Sequence, residues 1–158
     1  MLSILFHSRT DWLYYFTGDP TLFESEEYLT RQTPSGTGVY VLNCLFRSIM
    51  STGDGGTLYC TSVACLLVES SSFFSCNTSL NCGGAIYFFN SDSGECVLYK
   101  LCGYSCCSTN TSGSFGIFAY IYVKDAVSSK NYVNYSSISQ CVNERSNSHN
   151  TLRLYYGK

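Results

Sequence analysis

The chain has 158 residues, one domain by length, and a formal net charge of −2 from 9 Lys+Arg against 11 Asp+Glu. Only 13% of residues are charged, which argues against a nucleic-acid binder with its basic phosphate-binding patch. The 45% apolar content argues against disorder, and the scarcity of Glu, Lys and Arg argues against a helical bundle.

In chain order, Met1–Phe6 is apolar but stops at His7, Arg9 and Asp11. It lacks a basic leader and a small-residue cleavage site, so it does not read as a signal peptide. Residues 21–29 suit either a short helix or a surface loop. Asp19 or Thr21 would cap such a helix, Pro20 fits its first turn, and its acids cluster near the start. Residues 1–37 are therefore expected to form an irregular or helical capping segment. The apolar runs around Cys65–Val68 and Phe115–Val123 fall short of the ~20 residues of a membrane span. Leu152–Lys158 reads as a strand cut off without a cap, as in a fragment or short relative of a longer protein.

Residues 38–158 carry an internal repeat, and a repeat decides the fold. Gly55-Gly56-Thr57-Leu58-Tyr59 recurs as Gly83-Gly84-Ala85-Ile86-Tyr87. A looser copy lies in Gly113–Tyr120, where either Gly113 or a later glycine is the equivalent. A second motif interleaves with the first. Its copies are Leu45–Ile49, Phe73–Asn77, Leu101–Cys106 and Ser137–Asn143. Cys76, Cys106 and Cys141 mark it at intervals of 30 and 35 residues. Each unit runs short strand, turn, variable polar loop, Gly-Gly corner, second strand. Glycines at a corner permit positive φ and close approach of stacked backbones. Asn77 and Asn143 suit the left-handed turn positions. One unit cannot bury its apolar face, but several stacked units build a continuous core. The expected fold is an all-β, right-handed parallel β-helix of three to four coils.

The Phe-x-x-Cys/Asn pattern followed by Gly83-Gly84-Ala85-Ile86-Tyr87 resembles the repeats of polymorphic outer-membrane adhesin-type proteins. It is also similar to protozoan surface proteins built on the same repeat, in the wider pectin-lyase-like superfamily. The resemblance covers residues 38–156, with Phe73–Asn77 and Gly83–Tyr87 its clearest instance. It implies a surface or secreted protein, displayed as part of a longer chain.

The ten cysteines are Cys44, Cys60, Cys65, Cys76, Cys82, Cys96, Cys102, Cys106, Cys107 and Cys141. Recurrence at one repeat position reads Cys76, Cys106 and Cys141 as a buried packing ladder. Disulfides among Cys60, Cys65, Cys82, Cys96, Cys102 and Cys107 are the alternative. Cys102-x₃-Cys106 has a zinc-knuckle spacing but no partner knuckle, so no metal or cofactor is expected. His7 and His149 lie in polar stretches near the chain ends and read as solvated, so no cysteine acquires a histidine base.

The rival to a binding module is a carbohydrate-active enzyme, since lyases and hydrolases share this fold. A hydrolase needs two carboxylates held over one sugar. Asp54, Glu69, Asp92, Glu95, Asp125 and Glu144 recur at no single repeat position, and Ser91–Gly94 explains Asp92 as a turn residue. Gly53-Asp54-Gly55-Gly56 lacks the P-loop pattern and reads as a solenoid corner. Asn77, Asn110 and Asn134 open N-x-[ST] sequons in expected turns, where a glycan would be exposed. Tyr59 and Tyr87 hold equivalent positions and start a column along one face, either a binding surface or a stabilising ladder. The expected function is non-enzymatic adhesion, with a protein or glycan on another surface as partner.

Overall fold

The computed structural model describes residues 10–80, 82–109, 116–124, 129–141 and 151–157. They form a parallel β-solenoid of about three turns. A helix α1 (Thr10–Tyr15) precedes two short strands, β1 (Thr21–Glu24) and β2 (Glu27–Tyr28). The first full coil contains β3 (Gly36–Leu42), β4 (Leu45–Arg47), β5 (Met50–Ser51) and β6 (Leu58–Cys60). The second contains β7 (Val63–Glu69), β8 (Ser72–Phe74), β9 (Asn77–Thr78) and β10 (Ile86–Phe89). The third contains β11 (Glu95–Tyr99), β12 (Cys102–Tyr104), β13 (Cys107–Ser108) and β14 (Ala119–Lys124). A last turn adds β15 (Tyr132–Asn134), β16 (Ser137–Ser139) and β17 (Leu152–Gly157).

Stacking these coils makes four parallel sheets. Their orders are β1-β3-β7-β11-β15, β2-β4-β8-β12-β16, β5-β9-β13 and β6-β10-β14-β17. Residues 21–24 and 27–28 are strand where the sequence suggested helix or loop. Thr21–Glu24 pairs in register with Val39–Leu42, and Glu27–Tyr28 with Leu45–Phe46. Pairing with a preformed sheet edge outweighs the capping signals of a nine-residue stretch. The helical piece lies earlier, at Thr10–Tyr15.

Corners repeat as regularly as strands. Ser25, Asn43, Ser70, Lys100 and Tyr135 stack at the first corner with φ between 49° and 55°. Ser48, Ser75, Ser105 and Gln140 stack at the next, with φ from 51° to 56°. A left-handed non-glycine residue costs roughly 1 kcal/mol or more. The turned backbone recovers a hydrogen bond to the following coil: the Asn43 N–H donates to Glu69 O (3.1 Å) and the Ser75 N–H to Tyr104 O (3.0 Å). At the third corner glycine is obligatory. Gly55, Gly83 and Gly116 have φ of 67°, 63° and 58°. A Cβ added to Gly83 would stand 2.1 Å from Ile86 O. The third glycine of the column is therefore Gly116, since Gly83 N–H donates to Gly116 O and Ile86 pairs with Ala119.

Inward side chains form layered columns. Phe46, Phe73, Gly103 and Ile138 share one register. The Phe46 and Phe73 rings stack at 4.8 Å. Gly103 leaves room for Phe118, whose ring stands 2.5 Å from where its Cβ would be. Cys76, Cys106 and Cys141 form the buried ladder that the repeat implied. They do more than fill space. The backbone N–H of Cys76 donates to Cys106 Sγ (3.4 Å), and that of Cys106 to Cys141 Sγ (3.3 Å). Serine does the same at the first corner: Cys44 N–H donates to Ser71 Oγ and Leu101 N–H to Ser136 Oγ, both at 3.1 Å. A small side chain with one polar atom satisfies a buried donor that the turn leaves without a ladder partner.

Candidate functional site

The outward side of the β6-β10-β14-β17 sheet carries an ordered array of stacked aromatic side chains. Strand alternation sends Leu58 and Cys60, Ile86 and Phe88, and Ala119 and Ile121 into the core. Tyr59, Tyr87, Phe89, Tyr120 and Tyr122 consequently point out. In-register pairing makes Tyr59, Tyr87 and Tyr120 one column. Their ring centroids lie 5.3 Å apart at both steps, with interplanar angles of 17° and 12°. Phe89, Tyr122 and Tyr155 make a second column, with steps of 4.8 and 5.0 Å. Tyr87 and Phe89 tie the columns together at 6.4 Å and 9°.

Rings stacked along the coil axis cover one another's faces. The array therefore presents ring edges to solvent, and the stacking itself stabilises the coils. Its two ends carry cations. The Arg31 guanidinium lies 4.4 Å from the Tyr59 centroid and donates to the Asp54 carbonyl. Arg153 follows Tyr120 in register and lies 5.5 Å from the Tyr155 centroid. Burial raises the pKa of the Tyr87 phenol above its ordinary range, with the Asp54 carboxylate adding to the shift, and burial raises that of Tyr120 as well. Phe89 and Tyr155 are partly open to solvent, at 39% and 45% exposure.

The sequence located Tyr59 and Tyr87 as the start of a column. It missed Phe89 and the terminal arginines. The missing signal was the period-2 echo of Tyr87–Phe89 in Tyr120–Tyr122 and Arg153–Tyr155. That echo emerges only once Gly116 fixes the register.

The other sequence-derived candidates are dispersed. Asp54 accepts the Cys82 N–H (3.0 Å), Asp92 sits in the turn after Asn90, and Glu95 opens β11 opposite Cys65. Glu69 is buried and accepts the Tyr40 hydroxyl at 2.7 Å. Among the described residues no group of three or more His, Cys, Asp and Glu stands close enough to hold a metal ion. His7, Asn110, Asp125, Asn143, Glu144 and His149 lie outside the described residues. Of the sequons within them, Asn134 is exposed at the end of β15. Asn77 is half-buried, and its Oδ1 accepts from the Cys107 N–H (2.9 Å) and thiol (3.2 Å).

All ten cysteines are free thiols. Burial pushes Cys60 up to about 12 and Cys96 well above the thiol range. Cys106, hydrogen-bonded to Cys141 and Cys76 and buried between them, is also pushed far up. These are unreactive packing thiols rather than nucleophiles. No helix among the described residues is long and apolar enough to cross a membrane.

The architecture defines the class: a parallel β-solenoid with an aromatic outward sheet. No family model matches the chain, and neither does any curated protein or solved structure.

Proposed function

We propose that the chain is a non-enzymatic binding module of a surface or secreted protein. Its β6-β10-β14-β17 face meets a protein or glycan on another surface. The single observation behind this reading is the double aromatic column: Phe89 and Tyr155, 39% and 45% exposed, sit in a rigidly stacked array with cations at its ends. Aromatic residues held rigid by their neighbours lose little entropy on binding and dominate recognition surfaces. The sequence resemblance supports adhesin-like surface display within a longer, right-handed, pectin-lyase-like protein. Under that reading Asn134 is the favoured glycan acceptor of the described sequons, because its side chain is exposed.

A labelled preparation of the chain, applied to a glycan array and to intact cell surfaces, tests the reading. Saturable binding is expected. It is lost in a Phe89→Ser/Tyr122→Ser double variant that keeps its circular dichroism spectrum. Binding that survives in the double variant, or release of sugar from a bound polysaccharide, overturns the reading.

A further inference from the structure

We propose that Tyr122 and Tyr155 form an oxidative cross-linking site, at which a peroxide joins the two rings by a carbon–carbon bond and so ties β17 to β14. The inference starts from register. β14 and β17 are parallel, and Tyr122 stands opposite Tyr155. Parallel pairing repeats the same residue geometry one strand spacing away, so the two phenols lie side by side in one orientation. Their ring centroids are 5.0 Å apart and their planes differ by 22°. On each ring a carbon ortho to the hydroxyl therefore faces its counterpart. Tyr155 is 45% exposed, so an oxidant reaches it and its ring has room to turn toward its neighbour.

Among the described residues, the other tyrosine contacts each lack one of these properties. Tyr14 and Tyr15 meet edge to face at 88°, and Tyr99 and Tyr135 at 89°. Tyr15 and Tyr132 are inclined at 57° and joined by a hydrogen bond between their side chains. Tyr59, Tyr87 and Tyr120 stack at 5.3 Å in the first column, but all three are half-buried. The Cys82 side chain also lies near Tyr87 and Tyr120. A thiol gives its hydrogen to a phenoxyl radical and so returns these phenols to rest before they couple. Phe89 bounds Tyr122 on its other side and has no hydroxyl to oxidise.

The step balances with hydrogen peroxide as oxidant, spent through a haem peroxidase. Each phenol gives up one electron and one proton and becomes a phenoxyl radical. The peroxide takes both electrons and both protons and leaves as two waters. The radicals join ortho carbon to ortho carbon. Each joined carbon then releases its hydrogen as a proton, and each oxygen takes a proton up, which restores two phenols. The net change is the loss of two hydrogen atoms from the chain and one new bond between the third coil and the last turn. Holding both radicals side by side makes the coupling intramolecular, which favours it strongly over coupling between chains. The site stands independently of what the aromatic face binds.

The test treats the dilute 158-residue chain with hydrogen peroxide and a haem peroxidase, then reduces it to open any disulfide. Trypsin digestion and mass spectrometry follow. The expected product is a monomer lighter by two hydrogen atoms, with dityrosine fluorescence, in which peptide 101–124 is joined to peptide 154–158 through Tyr122 and Tyr155. Tyr155→Phe keeps the stacked ring but removes the phenol, and dityrosine in the monomer should fall about tenfold, since no other pair is held so well for coupling. Phe89→Tyr added to Tyr155→Phe should restore a link, now between position 89 and Tyr122, whose rings stack at 4.8 Å. Circular dichroism confirms that both variants keep the fold. A treated chain without dityrosine, a linked peptide that omits Tyr122 or Tyr155, undiminished monomer dityrosine in Tyr155→Phe, or a double variant that stays unlinked each overturns the inference.

Discussion

On the outward side of the β1-β3-β7-β11-β15 sheet, Tyr40, Leu67 and Val97 lie in one register, buried beneath Trp12 and Phe16. On the outward side of the β6-β10-β14-β17 sheet, Tyr59, Tyr87 and Tyr120 lie in one register and remain half-exposed. The same strand geometry thus produces two apolar outer faces. The chain's own N-terminal segment covers the first. Gly38 makes this possible, since a Cβ there would stand 2.6 Å from the Trp12 ring. The Trp12 indole N–H donates to Gly18 O (2.8 Å), and Lys130 donates to the Tyr14 and Tyr15 carbonyls at the helix C-terminus. The second face is aromatic rather than aliphatic and stacks upon itself. Parallel sheets are normally covered on both sides. The partly open outer face of this parallel sheet is the one that the proposed binding role uses.

The largest effect should come from removing the cover. Trp12 is 2% exposed and anchors the N-terminal segment. Trp12→Ala is expected to lower stability by about 4 kcal/mol in urea denaturation. It should also speed thiol labelling of Cys65, which packs against the same cluster. Unchanged labelling of Cys65 would mean that the segment stays docked without its tryptophan.

Stability should also fall in alkali because of a thiol on the inner side of the aromatic sheet. Burial raises Cys60 to about 12 in the fold from an ordinary value of 9. The unfolded chain therefore loses this proton first as pH rises. The contribution of Cys60 is fully present below pH 9 and disappears between 9 and about 12, at roughly 1.4 kcal/mol per pH unit. Denaturant midpoints measured across that window should fall less steeply in Cys60→Ala.

The open face should be less sensitive than the covered one. Tyr87 stacks between Tyr59 and Tyr120 but is only half-buried. Tyr87→Ala is expected to cost about 2 kcal/mol, half the effect of Trp12→Ala. A loss as large as that of Trp12→Ala would show that the aromatic columns serve stability rather than recognition.

Legibility in the sequence followed the physics of each feature. The corner glycines and the cysteine ladder were readable because backbone sterics leave few substitutes for Gly55 and Gly83, and Cys76, Cys106 and Cys141 recur in one structural role. The strand at Thr21–Glu24 was hidden because its conformation is imposed by pairing with β3 and not by its own residues. The cover on the first sheet was hidden for a related reason. A six-residue helix carries no periodic signal, and the slot that receives Trp12 is made by Gly38, 26 positions away. The second aromatic column needed a register that residues 110–118 did not announce, since both Gly113 and Gly116 fitted the motif.

The smallest effect tests how closely the three coils are equivalent inside the aromatic sheet. Thr57, Ala85 and Phe118 each stand one residue before the inward start of their strand, at Leu58, Ile86 and Ala119. Ala85 and Phe118 are apolar, whereas Thr57 carries a hydroxyl that is fully buried. That hydroxyl lies beside the Cys76 thiol but makes no hydrogen bond of good geometry. An unsatisfied buried hydroxyl costs about 1 kcal/mol or more, and valine keeps the shape without it. Thr57→Val is therefore expected to stabilise the fold by about 1 kcal/mol, read as a raised urea midpoint at unchanged slope. A lowered midpoint would mean that the hydroxyl belongs to the polar ladder through Cys76 and Cys106. The first coil would then begin that ladder with oxygen where the later coils use sulfur.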